Sequence, residues 1–245
     1  MALPSFDLYA VGGSVRDEIL GLDNKDHDFT AVCNKEYPLF VQQAFALLAR
    51  ELKEAGYLIF IEKPKYATIR ARFPKGHQHE KMVADFVLAR KEGPYSDGRR
   101  PDYVKLGSLH DDLARRDFTM NAIAKTENGE FIDPFGGRMA INDGLITCVG
   151  KAEYRFREDA LRGLRALRFS ITKNFSLSAG IRNALTESWF IEALESVSAE
   201  RKREELSKMF RHNVVESMAL LTSFGYDLAQ AIFKDGLWLM PTLKE

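Results

Sequence analysis

The hydrophobic period of this 245-residue chain changes once, near Gly150. Before that point short apolar runs alternate with helical patterns. After it nearly every segment repeats at the helical spacing of i, i+3, i+4. Such a pattern predicts an α+β first half, a mixed sheet with helices, followed by an all-α second half. Strands are expected at 6–11, 28–32, 57–62, 66–73 and 82–88. Val41, Ala44, Phe45, Leu48, Leu52 and Ala55 line one face of a helix. A shorter helix should begin after Gly12-Gly13, capped by Ser14 and closed at 21–24. Segments 121–126 and 131–133 flank Asn128-Gly129, a hairpin signal. In the second half, Phe156, Ala160, Leu164 and Leu167 share one face of a single segment running to about Phe169. Further helices are expected near 178–194, 199–212, 214–224 and 227–233. The longest stretch without a pattern is 92–109, long enough to be functional or mobile.

Composition narrows the class. No apolar run approaches the ~18–20 residues of a membrane span. The first seven residues show no basic region and no apolar stretch, so no signal peptide is expected. Cys33 and Cys148 are the only cysteines, which fits a reducing cytoplasm. The 35 basic and 35 acidic side chains cancel overall, but not locally. Residues 151–213 hold 13 basic and 9 acidic groups, a net of +4, and both flanking segments are at −2. That asymmetry suits an enzyme that gathers carboxylates in one place and holds a polyanion in another; a solvated helix surface would look the same.

Five motifs carry possible chemistry. Gly12-Gly13-Ser14-Val15-Arg16-Asp17 joins a strand to a helix start. There the bare backbone can approach a phosphate and Arg16 can add a charged donor, although a tight turn explains it equally. In Asp26-His27-Asp28 two carboxylates share one strand face, which is how Mg²⁺ is held beside substrate phosphates. Asp85 sits within an apolar strand. It is either a third metal-site carboxylate or half of an ion pair with Arg90 or Arg70. Arg116 and Asp117, in Arg115-Arg116-Asp117-Phe118-Thr119-Met120-Asn121, can meet phosphates and a ribose, or form a charge cluster at a helix end. Finally Asp159 and Arg162, with Arg165 and Arg168 following at threes, can read a base edge and face a triphosphate, or form surface salt bridges.

In this order, and with Ile132-Asp133-Pro134-Phe135-Gly136-Gly137 between the fourth and fifth, the motifs resemble those of the class II tRNA nucleotidyltransferase and bacterial poly(A) polymerase family over roughly residues 8–210. The resemblance implies a nucleotidyltransferase head over 1–150, a helical neck over 151–197 and a short helical body over 198–245. It implies catalytic Asp26, Asp28 and Asp85, with two Mg²⁺ ions on Asp26 and Asp28. It implies nucleotide binding by Gly12, Gly13, Arg16, Arg116, Asp117 and Asn121. Asp159 and Arg162 would read the base, with Arg165 and Arg168 on the triphosphate side. Arg90, Glu92 and the loop at 93–102 resemble a segment that helps switch between CTP and ATP. The implied activity is addition of CCA from CTP and ATP to the 3′ end and acceptor stem of tRNA, with pyrophosphate released. The alternatives are a poly(A) polymerase, an enzyme adding only CC or only A, and an RNA-binding remnant. The stretch 63–70 lacks the basic Gly-Arg-Arg-Phe-like run of poly(A)-type relatives, which favours CCA. Relatives extend into a longer body and a tRNA-gripping tail. The chain given stops at Glu245, so tail docking is not expected, and self-association could replace it. A phosphohydrolase domain is not expected, because His212 is the only histidine after 170. His77 and His79 could bind a metal, but they are expected instead at a solvated hairpin tip.

Overall fold

The computed structural model describes residues 3–23, 27–34, 40–77 and 79–233. It divides into two compact units, Met1–Gly93 with Asp102–Ile141, and Pro94–Pro101 with Asn142–Glu245.

The first unit opens with β1 (Phe6–Val11), α1 (Gly13–Ile19), β2 (His27–Cys33) and α2 (Val41–Glu54). Next come β3 (Leu58–Lys63), β4 (Thr68–Arg72), β5 (Val83–Leu88), β6 (Arg90–Glu92) and β7 (Val104–Leu106). It ends with α3 (Leu109–Ala114), β8 (Ala124–Lys125), β9 (Phe131–Ile132) and α4 (Gly137–Asn142). Among the described residues the main sheet has seven strands in the order β3-β4-β5-β2-β1-β8-β9. All neighbours are antiparallel except β2 and β5. Ala44, Phe45, Leu48, Ala49 and Leu52 of α2 are buried with Ala31, Ile69, Ala71, Ala84 and Phe86 of the strands. Each large side chain among them contributes roughly 1.5–3 kcal/mol through burial. Gln43 accepts the Phe40 N–H at 3.0 Å, satisfying one free donor at the start of α2.

The second unit contains β10 (Leu145–Ile146), α5 (Ala152–Glu158), α6 (Leu161–Lys173) and β11 (Ser176–Leu177). Five helices then follow: α7 (Ala179–Thr186), α8 (Ser188–Glu195), α9 (Ala199–His212), α10 (Val214–Thr222) and α11 (Tyr226–Phe233). Phe156 and Phe190 pack with ring centroids 5.4 Å apart. A Cβ on Gly163 would lie 2.3 Å from the Phe190 ring, so α6 needs glycine there. No helix among the described residues is long and apolar enough to cross a membrane.

The α+β class followed by helices is borne out, and several elements are corrected. Ser14 does not cap α1. Gly12, at φ 75°, is the cap residue, and the Ser14 hydroxyl donates back to the Val11 carbonyl at 3.0 Å. The expected single helix through Phe156 and Leu167 is two helices. Asp159 between them is extended, at φ −162° and ψ 107°. The expected helix over 178–194 also breaks, at extended Glu187. The 92–109 stretch is not patternless, because β6 and β7 pair across it and Gly93 N–H donates to the Tyr103 carbonyl at 2.9 Å.

Candidate nucleotidyl-transfer site

The turn after β1 is where the candidate residues of the first unit meet. The sheet register sets Asp28 of β2 opposite Val11 on one side and opposite Asp85 of β5 on the other. The chain then turns through Gly12 without a side chain. A Cβ there would lie 3.0 Å from Arg116 Nη1 and 3.7 Å from Asp28 Oδ2. Gly12, Asp28 and Arg116 thus border one small space, with Asp85 on the next strand. Asp26, the other expected metal carboxylate, lies outside the described residues.

Asp85 is held by Arg70, whose Nε and Nη2 donate to its two oxygens at 2.7 and 2.6 Å. Of the two partners left open from sequence, Arg70 is the one the structure supplies; Arg90 donates to Glu92 instead, at 2.8 Å.

Behind the turn lies a buried polar network. Arg16 is 6% exposed. Its Nε and Nη2 donate to Asp17 at 2.8 and 2.9 Å, and its Nη1 donates to Asn121 Oδ1 at 2.7 Å. Asn121 donates in turn to Asp117 Oδ1 at 3.0 Å. The same oxygen takes the Phe118 N–H at 2.8 Å, which fixes the Asp117 rotamer. Gly13 is the first residue of α1.

Asp112 is the anchor that sequence reading missed. It is fully buried and accepts from Arg115, from Arg116 Nη2 at 3.0 Å and from the Thr30 hydroxyl at 2.9 Å. Burial alone would raise its carboxyl pKa. The two guanidiniums and their hydrogen bonds outweigh burial and hold it below its ordinary 3.8. Arg116 Nη1 also donates to the Asn121 carbonyl at 3.3 Å. Its Nε is buried and has no hydrogen-bond partner among the described residues.

In the second unit the interruption between α5 and α6 exposes a carboxylate to a distant partner. Asp159 Oδ1 accepts the Leu161 N–H at 3.1 Å, and Arg201 of α9 grips both its oxygens at 3.2 and 2.6 Å. Arg162 Nη1 donates to Glu158 at 2.6 Å. Arg165 and Arg168 both reach Glu205 of α9, and the Arg168 guanidinium lies 4.0 Å from the Phe169 ring centre. Arg201, Glu205 and Glu158 were missed as site partners. They look like ordinary charges on amphipathic helices, and only tertiary structure shows whom they face.

The model of the poly(A) polymerase head domain matches residues 8–147. The chain belongs to that family. Within it, the "CCA-adding enzyme" of Geobacillus kaustophilus is 36% identical over 222 residues, covering 90% of this chain and 50% of that protein. The chain therefore spans about half the length of the curated relatives it matches. Among solved structures, the Bacillus stearothermophilus CCA-adding enzyme in complex with CTP aligns with a TM-score of 0.70 and 32% identity, over 89% of this chain and 48% of that one. A tRNA nucleotidyltransferase complexed with a primer tRNA and an incoming ATP analog aligns at 0.72 and 28%, over 95% and 61%.

The donor set of this family member fits a divalent cation. Asp28 offers hard carboxylate oxygens and Gly12 leaves room beside it, while both oxygens of its cross-strand neighbour Asp85 are taken by Arg70. Among the described residues no group of three or more His, Cys, Asp or Glu is gathered closely enough to hold a metal. His77 stacks on Phe73 at 4.7 Å, so its ring is used in packing.

Proposed function

We propose that this chain is a template-independent RNA nucleotidyltransferase that adds CMP, CMP and AMP from CTP and ATP to the 3′ end of tRNA. The observation that carries the reading is the space bordered by Asp28, bare Gly12 and Arg116, with Asp85 on the adjoining strand. A carboxylate and a guanidinium facing one gap at a glycine turn suit a nucleotide triphosphate and a metal together. The named relatives, one bound to CTP and one to a primer tRNA with an ATP analog, point to the same substrates.

In this reading residues 1–150 are the catalytic head, 151–197 the neck and 198–245 the start of a helical body. The 3′-hydroxyl oxygen of the RNA attacks the α-phosphorus. A bond forms from that oxygen to phosphorus, the bond to the bridging oxygen of the β-phosphate breaks, and pyrophosphate leaves. The hydroxyl proton passes to solvent. Mg²⁺ on Asp26 and Asp28 would supply charge neutralisation and lower the pKa of the attacking hydroxyl. Arg116, clamped by Asp112, directs its remaining donor capacity at the phosphates. Arg16 donates from Nε, Nη1 and Nη2 within the protein and sets Asn121, which holds Asp117 for the ribose. Gly12 and Gly13 keep the backbone close to the phosphates. Asp159 and Arg162 present acceptor and donor edges to the incoming base. Arg201 and Glu158 fix their directions, and Arg165 and Arg168 add positive charge.

The test supplies Mg²⁺ and tRNAs ending before CCA, after C and after CC, with CTP and ATP singly and together, and reads the 3′ ends on a sequencing gel. Addition that stops at CCA is expected. A long A ladder would move the reading to a poly(A) polymerase, and CC-only or A-only products to a divided-labour enzyme. RNA binding without any addition would leave an RNA-binding module.

A further inference from the structure

The sheet of the first unit has one face packed on α2 and the apolar core. Ile69, Ala71, Ala84 and Phe86 point to that side, and Glu62 reaches Lys53 of α2 at 2.8 Å. The residues between them point to the other side. There the register aligns one row across five strands: Ile61 opposite Arg70, Arg70 opposite Asp85, Asp85 opposite Asp28, and Asp28 opposite Val11. The row runs from the candidate catalytic carboxylate to edge strand β3 in three strand steps, about 14 Å.

At the β3 end this face is apolar and cationic. The pairing with β4 shifts between Ile59 and Ile61, so Phe60 is an extra residue set beside Ile61 across from Arg70, and Glu62 returns to the α2 side. Leu58 is 49% exposed, Phe60 51% and Ile61 39%. The Arg72 guanidinium stands 6.0 Å from the Phe60 ring centre. A solvent-facing sheet surface ordinarily carries polar side chains, so large exposed apolar groups in line with an acid site call for an occupant. That occupant has flat apolar faces to lie on Phe60 and negative charge to meet Arg72. Single-stranded nucleic acid has both. About four stacked nucleotides, at roughly 3.4 Å each, span the row.

We infer that the open face of β3 and β4 holds the single-stranded 3′ end of the RNA acceptor, with a base on Phe60, a phosphate on Arg72 and the terminal hydroxyl directed along the row toward Asp28. The inference rests on the nucleotidyltransferase reading for the identity of the polymer and the direction of its end. Phe60 and Arg72 are positioning residues that act through the RNA and touch no reacting atom.

The test uses the full chain. It measures the Kd for a fluorescein-labelled tRNA ending before CCA and for a single-stranded RNA with the same 3′ sequence, and steady-state KM and kcat with tRNA and CTP. Phe60→Ala and Arg72→Ala should each weaken both RNAs about tenfold. Each should raise the tRNA KM and leave kcat and the CTP KM unchanged. Phe60→Tyr, which keeps a stacking ring, should restore binding. Glu62→Gln, on the opposite face of the same strand, should change nothing. Unchanged RNA affinity in both alanine variants would overturn the inference, as would equal weakening by Glu62→Gln. A shift from dimer to monomer in Phe60→Ala, with RNA affinity intact, would assign the face to a second copy and also overturn it. If Phe60→Ala does not fold, Arg72→Glu decides on the same readouts. RNA binding that depends on Phe60 in a chain without turnover would sink the enzyme reading and keep this one. Turnover indifferent to Phe60 and Arg72 would do the reverse.

Discussion

Both units fix arginines on buried carboxylates, but over very different spans of chain. In the first, Asp112 holds Arg115 and Arg116 three and four residues away, and Arg16 is held by Asp17 beside it. In the second, Arg201 reaches Asp159 across 42 residues, and Glu205 holds Arg165 and Arg168 across 40 and 37. Local pairs form as soon as their helix does. The long-range pairs exist only while α6 and α9 are packed together. The Asp112 pairs are therefore set by the local chain, although Arg16 also reaches Asn121, 105 residues on, and the pairs to α9 report on tertiary packing. Asp112 and Glu205 are both buried, and of the four arginines they hold Arg165 is the most exposed, at 32%.

The sharpest way to break this comparison is through the chemistry. If the head carries the reaction and the helical unit only the choice of base, Asp28→Asn lowers nucleotide addition by about a thousandfold or more. Asp159→Ala should keep addition going and reduce discrimination between CTP, ATP and other nucleotides. Single-turnover assays with each nucleotide separate the two, and equal losses of rate would end the division of labour. Next in size is Asp112→Ala, which strands two arginines around a buried gap. It should cost about 3–5 kcal/mol in urea unfolding. Glu205→Ala should cost less, about 1.5–3 kcal/mol, because one of the two arginines it releases, Arg165, is 32% exposed and can turn to water. A larger loss at Glu205 than at Asp112 would invert the ranking. The smallest effect is in pH. The folded pKa of Asp112 is lowered, so its contribution is complete above pH 3.8 and is lost as pH falls through the folded value. The stability gap between the unmodified chain and Asp112→Asn should therefore hold near neutrality and shrink below about pH 3.8. A gap that widens in acid would contradict the assigned charge state.

Much of the fold was legible where one period ran unbroken. The strand Phe6–Val11 and the helix Ala199–His212 have the expected bounds. The break at Asp159 is not legible, because Phe156, Ala160, Leu164 and Leu167 keep the helical period across it and the one glycine in the stretch, Gly163, lies inside α6 rather than at the break. What holds Asp159 extended includes Arg201, 42 residues away, and no local pattern encodes that. The β6–β7 ribbon was hidden because three residues are too few to show alternation. In the site, the motif glycine and acid were visible as residue types, as was the choice of partners for Asp85. Asp112 was not, since an Asp between His110-Asp111 and Arg115-Arg116 reads as a surface helix until its burial is seen. Residue preference alone points to Ser14 as the cap. The positive φ of Gly12 decided otherwise.

The one parallel seam in the main sheet, between β2 and β5, bears on how the protein comes to life. Asp28 and Asp85 lie side by side but are 57 positions apart in the chain, and α2 with the β3–β4 hairpin must be made between them. Loop closure of that length is slow compared with forming a helix or hairpin. A chain emerging from synthesis thus carries one carboxylate without the other until β5 slots in beside β2. Bringing the two carboxylates together therefore requires β5 to dock beside β2, and pulse-labelled hydrogen exchange should show the β2–β5 seam protected after the β3–β4 hairpin.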